Sequence, residues 1–182
     1  YITPIINNIN TSKDKKFIIA GSQGAGKSTL AILFKLALEK IYKKKVMLLS
    51  IDDYYLSKKK RLELSKKIHP LLITRGVPGT HNIEALRKDV ISFQKNKFPI
   101  TTPIFNKLKD DLSIKKKIIK NAEILLLEGW CCGAPSINKE YLFENINSLE
   151  SKLDKNKKLR QFYNSQLKRD YKKVFSLFDQ QI

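Results

Sequence analysis

Residues 21–28 read Gly21-Ser22-Gln23-Gly24-Ala25-Gly26-Lys27-Ser28 and satisfy every fixed position of the phosphate-binding pattern G-x-x-x-x-G-K-[ST]. The apolar residues 17–20 precede this run and predict a strand, whereas residues 27–40 contain no Gly or Pro and predict a helix. A loop that joins a strand to a helix N-terminus presents N–H groups and partial positive charge to an anion. The run therefore predicts a nucleotide-binding loop.

The fixed residues of this loop each have a physical task. The glycines let the backbone curl around phosphate oxygens. Lys27 is expected to reach the β- and γ-phosphates, and the Ser28 hydroxyl is expected to coordinate magnesium, which prefers oxygen ligands. We therefore predict ATP and Mg²⁺ as cofactors. The predicted nucleotide contacts are Gly21, Ser22, Gln23, Gly24, Ala25, Gly26, Lys27, Ser28 and Thr29. The alternative, a glycine-rich turn without a ligand, gives no reason for Lys and Ser at these two positions.

Length, composition and cysteine placement limit the classes of protein that this chain can belong to. The chain has 182 residues, 42% of them hydrophobic, which predicts a single domain over residues 1–182. No apolar run approaches the roughly 20 residues of a membrane span, and no signal-peptide pattern opens the chain, so we expect a cytoplasmic monomer without a membrane partner. Cys131 and Cys132 are adjacent and fit neither a disulfide framework nor a zinc site. We expect both to be buried, reduced thiols.

The formal charge of +19 comes from 36 Lys and Arg against 17 Asp and Glu. A basic surface can indicate nucleic acid or an anionic membrane. Here lysine supplies nearly all of the positive charge, and the lysine runs are spread along the whole chain. The sequence lacks the arginine-rich stripe with interleaved aromatics that is typical of nucleic-acid surfaces. We therefore expect no nucleic-acid partner and interpret the lysines as solvated faces that can also steer anionic substrates.

The order of predicted elements indicates an α/β fold. Residues 46–51 predict a second strand, and a β-α-β crossover makes it parallel to the first. Residues 122–127 predict another buried strand, whereas residues 100–105 and 115–119 predict a small hairpin. Helices are expected at 83–95, at 141–153 and at 160–178, and residues 57–70 are expected to be helical or mobile. We predict a three-layer P-loop NTPase fold with a mostly parallel sheet, helices on both faces, the hairpin and a helical lid.

Acidic residues follow the predicted second and third buried strands. The carboxyl ends of parallel strands open on a shared crevice, so Asp52 and Asp53 should lie across from the loop. If the strand stays extended, one of the two faces the site as the catalytic base, and the other binds magnesium or caps the next segment. A pure capping role for both is the alternative. Glu128 ends an apolar strand, where an acidic residue can hold or orient magnesium.

The turn-rich stretch at residues 75–82 contains two further candidates. Arg75 and His81 flank a Pro-Gly turn, and each is equally consistent with a plain surface-loop residue. Arginine matches a carboxylate with two parallel hydrogen bonds, so an acidic acceptor would favour Arg75. Asp52, Tyr55, Arg75 and His81 are the candidates for the acceptor site, and we predict Lys27, Asp52 and Glu128 as catalytic residues. The predicted metal ligands are Ser28, Asp53 and Glu128.

Five strings together carry a resemblance to a known family. They are GSQGAGKSTL, LSIDDYYL, HPLLITRGVPGTHN, PIFNK and LLLEGWCCGAP. In this order they resemble the D-glycerate 3-kinase family, a branch of the phosphoribulokinase, uridine kinase and pantothenate kinase group. The resemblance implies transfer of the ATP γ-phosphoryl group to the primary hydroxyl of D-glycerate, with magnesium. It also implies that Asp52 is the base, that Arg75 and His81 meet the acceptor, and that Arg160, Asn164 or Arg169 reaches the phosphates from a covering segment.

The chain departs from the family pattern at three places. Asn82 and Asn106 replace acids, and the Gly-Asp-Arg that usually follows PIFDK is reduced to Asp110-Asp111-Leu112, without its arginine. The chain also starts at Tyr1 and ends where relatives begin a further strand and helix, so we expect a fragment of a longer domain. Two alternatives stay open. One is a kinase for another small alcohol of the uridine or pantothenate type, and the other is an ATP-binding regulatory or nucleic-acid-associated protein without transfer activity.

Overall fold

Four parallel strands form the central sheet of the computed structural model, which describes residues 2–182. Within that range the strands are β1 (Lys16–Ala20), β2 (Val46–Ser50), β3 (Ile100–Thr102), β4 (Phe105–Asn106), β5 (Asp111–Leu112), β6 (Lys117–Ile119), β7 (Ile124–Gly129) and β8 (Gln180–Gln181). The sheet has the order β2-β7-β1-β8. Two short antiparallel pairs, β3 with β6 and β4 with β5, lie outside it. The predicted mostly parallel α/β fold is confirmed.

Seven α-helices accompany these strands within the described residues. They are α1 (Thr3–Thr11), α2 (Lys27–Lys40), α3 (Lys58–Lys67), α4 (Ile83–Gln94), α5 (Ser148–Leu153), α6 (Lys158–Gln166) and α7 (Lys172–Phe175). A π-helical turn, Leu167–Tyr171, joins α6 to α7. Single 3-10 turns occur at Ile51–Tyr54, Pro70–Ile73 and Lys139–Leu142. None of the helices in residues 2–182 is long and apolar enough to cross a membrane.

Alternation along the strands divides the core into two layers. Successive side chains of a strand point to opposite faces, so Phe17 and Ile19 pack with α1 and α2, whereas Ile18 packs with α4 and α7. The same alternation in β7 sends Leu126 to the first layer and Leu127 to the second. All of these side chains are buried. Burial on both faces explains why the central strands are continuous apolar runs.

The second half of the chain differs from the predicted elements in three places. The helix predicted at 141–153 is wrong over its first half, because residues 139–142 form a 3-10 turn and α5 starts only at Ser148, capped by Asn147. The helix predicted at 160–178 is interrupted by the π turn and ends at Phe175. The loop predicted between the hairpin strands contains the additional β4–β5 pair. The N-terminal helix α1 was not predicted.

The carboxyl ends of three strands meet at one edge of the sheet. Glu128 of β7 is in register with Ile19 of β1 and with Ser50 of β2. The glycine-rich loop leaves β1 at this edge, the 3-10 turn with Asp52 leaves β2, and Glu128 lies between them. The topology therefore brings the three predicted groups to a common crevice, as expected for an open α/β sheet.

Candidate active site

A cleft of about 330 Å³ opens at this edge of the sheet. It is lined by Gln23, Gly24, Lys27, Ser28, Asp52, Tyr55, Arg75, Gly76, Lys107, Glu128, Gly129 and Trp130. Eight of the residues that the sequence assigned to the site are therefore brought together: Gln23, Gly24, Lys27, Ser28, Asp52, Tyr55, Arg75 and Glu128. Positive charge exceeds negative charge in the lining, because it contains three cationic side chains and two carboxylates. The cations are Lys27, Arg75 and Lys107, and the carboxylates are Asp52 and Glu128. The cleft suits an anionic ligand.

The loop at one end of the cleft has the backbone that its glycines permit. Gly24 and Gly26 have φ values of 77° and 81°, a left-handed conformation that other residues rarely adopt. Gly26 is the residue before α2, so the helix begins at Lys27 with its N–H groups and partial positive charge facing the crevice. The Lys27 ammonium donates to the Ser22 carbonyl oxygen at 2.7 Å. The loop therefore offers backbone N–H groups and one ammonium group to an anion.

Two oxygen groups in the cleft fit a divalent cation. The Ser28 hydroxyl lies 3.2 Å from a carboxylate oxygen of Glu128, which is only 7% exposed. Within residues 2–182 this buried carboxylate accepts a hydrogen bond from a hydroxyl and forms no ion pair with a Lys or Arg side chain. Its negative charge is therefore available to balance a cation. No group of three His, Cys, Asp or Glu side chains suited to a metal occurs in the described chain. A hydroxyl and one carboxylate match Mg²⁺, which keeps several waters and binds substrate phosphates.

Asp52 and Asp53 diverge because they lie on the 3-10 turn that follows β2 and not on an extended strand. Asp52 lines the cleft, and its carboxylate accepts a hydrogen bond from the Lys107 ammonium at 2.8 Å. Asp53 accepts from the Phe105 N–H at 3.1 Å and does not line the cleft. Burial raises the pKa of the Asp53 carboxyl, against the opposing effect of the Phe105 hydrogen bond. The structure thus gives Asp53 a structural partner instead of the metal position predicted for it.

Arg75 lines the cleft on the side of Asp52 and Tyr55. Its guanidinium donates to the Asp110 carboxylate and lies 5.5 Å from the centre of the Phe105 ring. Tyr55 lies beside it; burial, followed by the charge and hydrogen bond of the Asp52 carboxylate, raises the pKa of its hydroxyl well above the ordinary value. The phenol therefore stays protonated and remains a hydrogen-bond donor. Asp52, Tyr55 and Arg75 form one polar surface opposite the loop.

His81 lies behind this surface and not on it. The ring is 4% exposed, stacks on Tyr55 with 4.4 Å between ring centres, and has Nδ1 2.6 Å from the Tyr171 hydroxyl. The same hydroxyl accepts from the Gly79 N–H at 2.8 Å. A Cβ at Gly79 would collide with Phe162 of α6. The acceptor contact predicted for His81 is thus replaced by support of Tyr55, within a loop that packs tightly on the C-terminal helices.

The His81 ring is expected to stay neutral between pH 5 and 8. Burial lowers its pKa from 6.5 to about 3, against the opposing effect of the Asp52 charge. The unfolded chain takes up this proton near pH 6.5 and the folded chain only near pH 3, so the stability contributed by this ring is lost as the pH falls through that window.

NMR titration measures this directly. The variant His69→Gln leaves His81 as the only histidine, because the chain has two. We expect its ring signals to stay constant from pH 5 to 8. A titration midpoint near the ordinary histidine value of about 6.5 would contradict the buried, neutral ring.

Arg160 lies outside the cleft. It is 2% exposed, and its guanidinium donates to Glu150 at 3.1 Å, to the Leu142 carbonyl at 2.8 Å and to Asn145 at 2.8 Å. Every nitrogen of the guanidinium is thus engaged in joining α6 to the 139–150 segment. The phosphate contact predicted for Arg160 has no geometric support, because the group would have to leave a buried ion pair.

Several residues of the site were not predicted from sequence. Lys107 and Asp110 reach Asp52 and Arg75 from the β4–β5 turn, and the Trp130 indole donates to the Gly76 carbonyl at 3.1 Å. The string PIFNK contains Lys107, and it was the sequence feature that could have pointed to this residue.

Asn82 and Asn106, the two amides that replace acids of the family pattern, have local structural roles. Asn82 caps α4, and the Asn106 side chain accepts from two N–H groups of its own turn. Burial raises the pKa of the Cys131 thiol to about 12, in agreement with a buried, reduced cysteine.

Comparison with curated proteins identifies kinases as relatives. The chain is 32% identical over 126 residues to the uncharacterized kinase mug58 of Schizosaccharomyces pombe, covering 63% of this chain and 45% of that protein. It is 33% identical over 128 residues to the probable ATP-dependent kinase TDA10 of Saccharomyces cerevisiae, covering 63% and 44%. A pantothenate kinase of Listeria monocytogenes is 26% identical over 113 residues, covering 61% and 35%. The matches thus span less than half of these relatives. No protein-family model matches the chain.

Solved structures show the same fold. The structure of the YGR205w protein has a TM-score of 0.65 at 29% identity and covers 92% of this chain and 61% of that one. A D-glycerate 3-kinase from Cryptococcus neoformans has a TM-score of 0.74 at 20% identity, with 99% and 69% covered, which shows likeness of fold alone. A possible uridine kinase from Bacillus stearothermophilus has a TM-score of 0.58 at 18% identity, with 72% and 71% covered. Together the comparisons find relatives among kinases and a shared fold, and they do not select one acceptor.

Proposed function

We propose that the chain is an ATP-dependent kinase that phosphorylates the 3-hydroxyl of D-glycerate to give 3-phosphoglycerate. The observation that carries this proposal is the placing of Asp52 and Arg75 in one cleft opposite the glycine-rich loop. The cleft offers a base for a hydroxyl and a guanidinium for a carboxylate, and glycerate has both groups. The resemblance of five sequence strings to the D-glycerate 3-kinase family also favours glycerate over uridine or pantothenate as the acceptor.

The proposed reaction is an in-line transfer. The Asp52 carboxylate accepts the proton of the acceptor hydroxyl while the hydroxyl oxygen bonds to the γ-phosphorus. The bond between that phosphorus and the β–γ bridging oxygen breaks, and ADP leaves. The loop N–H groups and Lys27 hold the phosphates, and Tyr55 and Arg75 orient the acceptor. Ser28 and Glu128 would hold Mg²⁺, which neutralises charge on the phosphate oxygens when it is bound.

A coupled assay of ADP release tests the acceptor. We expect turnover with D-glycerate above the acceptor-free background and little with uridine or pantothenate. Turnover with pantothenate alone would instead support the second candidate, a kinase for another small alcohol, which the pantothenate kinase relatives favour. No turnover with any of the three would favour an ATP-binding protein without transfer activity.

Replacing Arg75 by lysine is expected to raise the KM for D-glycerate about tenfold with little effect on the KM for ATP. Lysine keeps the charge but loses the planar pair of donors that matches a carboxylate, and a hydrogen bond to a charged group is worth roughly 1.5 kcal/mol or more. Steady-state kinetics measure both constants. Arg87→Lys is a matched control, because Arg87 pairs with Glu84 on the surface of α4. Unchanged kinetics in Arg75→Lys would show that the acceptor acid is held elsewhere.

A further inference from the structure

The turn between β4 and β5 supplies two charged side chains that contact residues lining the cleft. Lys107 donates to Asp52, and Asp110 accepts from Arg75. The turn itself is well ordered by its own hydrogen bonds, since Asn106 accepts from the N–H groups of Leu108 and Lys109 at 3.0 Å each. The position of Arg75 is therefore linked to a second segment of the chain, some 35 residues away in sequence.

Asp110 is held in turn by a buried arginine. Arg61 of α3 is fully buried and donates through Nη2 to an Asp110 carboxylate oxygen at 2.8 Å and to the Asp110 carbonyl at 2.6 Å. Its other nitrogens donate to the carbonyls of Ile73 at 2.7 Å and Leu56 at 3.2 Å. A buried cation is stable only when such partners compensate its lost hydration. Arg61 therefore fixes both Asp110 and the backbone two residues before Arg75.

The charges of this triad have a consequence for ligand binding. Asp110 alone would neutralise Arg75, but Arg61 supplies a second positive charge, so Arg61, Asp110 and Arg75 together keep a net charge of +1 at the cleft. The Phe105 ring lies 5.9 Å from the Arg61 guanidinium and 5.5 Å from that of Arg75, and it limits where Arg75 can move. One edge of Arg75 is bound by Asp110, and its remaining N–H groups are left for a carboxylate.

We infer that Asp110, backed by Arg61, is a positioning residue that holds the Arg75 guanidinium in the orientation that binds an acidic acceptor. The inference deepens the proposed function and rests on it for the identity of the acceptor. It assigns the β4–β5 turn a part in acceptor selectivity. Asp110 acts through Arg75 and has no contact of its own with the acceptor.

Steady-state kinetics of Asp110→Asn test this role. We expect the KM for D-glycerate to rise about tenfold, the cost of one charge-assisted hydrogen bond, while kcat and the KM for ATP change less than about twofold. Asp111→Asn is the matched control, because Asp111 is the next residue along the chain, at the start of β5, and accepts from the N–H groups of Lys58 and Leu112 instead. Equal changes in both KM values, or no change, would overturn the inference. Asp110→Glu, which keeps the charge that Arg61 needs, carries the same test if Asp110→Asn does not fold.

Arginine labelling gives a second readout that needs no acceptor. Phenylglyoxal modifies accessible guanidinium groups, and mass spectrometry reports the rate at each site. We expect Arg75 to react several-fold faster in Asp110→Asn than in the unsubstituted chain, with exposed Arg169 as the internal reference. An unchanged rate at Arg75 would overturn the positioning role. If the unsubstituted chain does not phosphorylate glycerate, the proposed acceptor fails while the labelling result still decides whether Asp110 holds Arg75.

Discussion

Replacing Asp52 by asparagine is expected to lower kcat for glycerate phosphorylation by about 10²- to 10⁴-fold, the usual contribution of a general base. The amide has nearly the same size as the carboxylate and can still accept the hydrogen bond from Lys107, so the cleft keeps its shape. It has no basic oxygen to take the hydroxyl proton. The dissociation constant for ATP should remain within about twofold, because the proposed site holds the phosphates with the loop and not with the 3-10 turn after β2.

Pre-steady-state kinetics and nucleotide titration measure the two quantities separately. Asp170→Asn is a suitable control, since Asp170 is an acidic residue that pairs with Lys173 away from the cleft. An Asp52→Asn variant with the kcat of the unsubstituted chain would remove Asp52 from the role of base. Weakened ATP binding with unchanged kcat would instead point to a role in nucleotide or metal binding.

Replacing Lys27 by methionine is expected to lower kcat by about 10²- to 10³-fold, the typical cost of removing one preorganised group from a developing negative charge. Methionine is unbranched and accepts the first helical position, so α2 should still begin there. Its thioether supplies neither a charge nor a hydrogen bond for the phosphates. The ammonium of Lys27 donates to a loop carbonyl, and this bond is readily exchanged for a phosphate oxygen.

Lys40→Met controls for the loss of one positive charge from the same helix, because Lys40 is the exposed last residue of α2. Circular dichroism should show equal helix content in both variants. Full activity of Lys27→Met with glycerate would contradict the nucleotide-binding role of the loop and, with it, the proposed transfer.

The parts of the site that could be predicted from sequence depend on local pattern and on topology. The loop at 21–28 has its own motif, and Asp52 and Glu128 come at the ends of apolar runs that predict buried strands. Once the β-α-β order is recognised, the carboxyl ends of the strands must meet at one edge. The register of Glu128 with Ile19 and Ser50 agrees with that expectation.

The contacts that were missed depend on distant segments. Lys107 and Asp110 reach Asp52 and Arg75 because β4 and β5 form a two-residue pair within a stretch that looks like an open loop. The anchor of Asp110 is Arg61, which lies among lysines on a charged helix that gives no sign of a buried cation. Pairing of this kind follows from tertiary packing, which overrides local propensity.

Residue type alone was misleading for two buried polar groups. Arg160 and His81 have the chemistry of phosphate and acceptor ligands, but in the fold Arg160 pairs with Glu150, and Nδ1 of the His81 ring lies against the Tyr171 hydroxyl. The sequence does not show these partners, since nothing in the local pattern indicates which side chains will meet. Burial changed the role of each group from ligand contact to structural support.

The π turn between α6 and α7 makes the length of the C-terminal helical segment a constraint on the loop at residues 75–82. Such a turn holds one residue more than an α-helical turn, and here it places the Tyr171 hydroxyl against Gly79 and His81. Deleting a single residue from 167–171 would rotate Tyr171 by about 100° about the helix axis. Insertions and deletions in this stretch are therefore expected to be tolerated far less well than substitutions, although it lies outside the cleft.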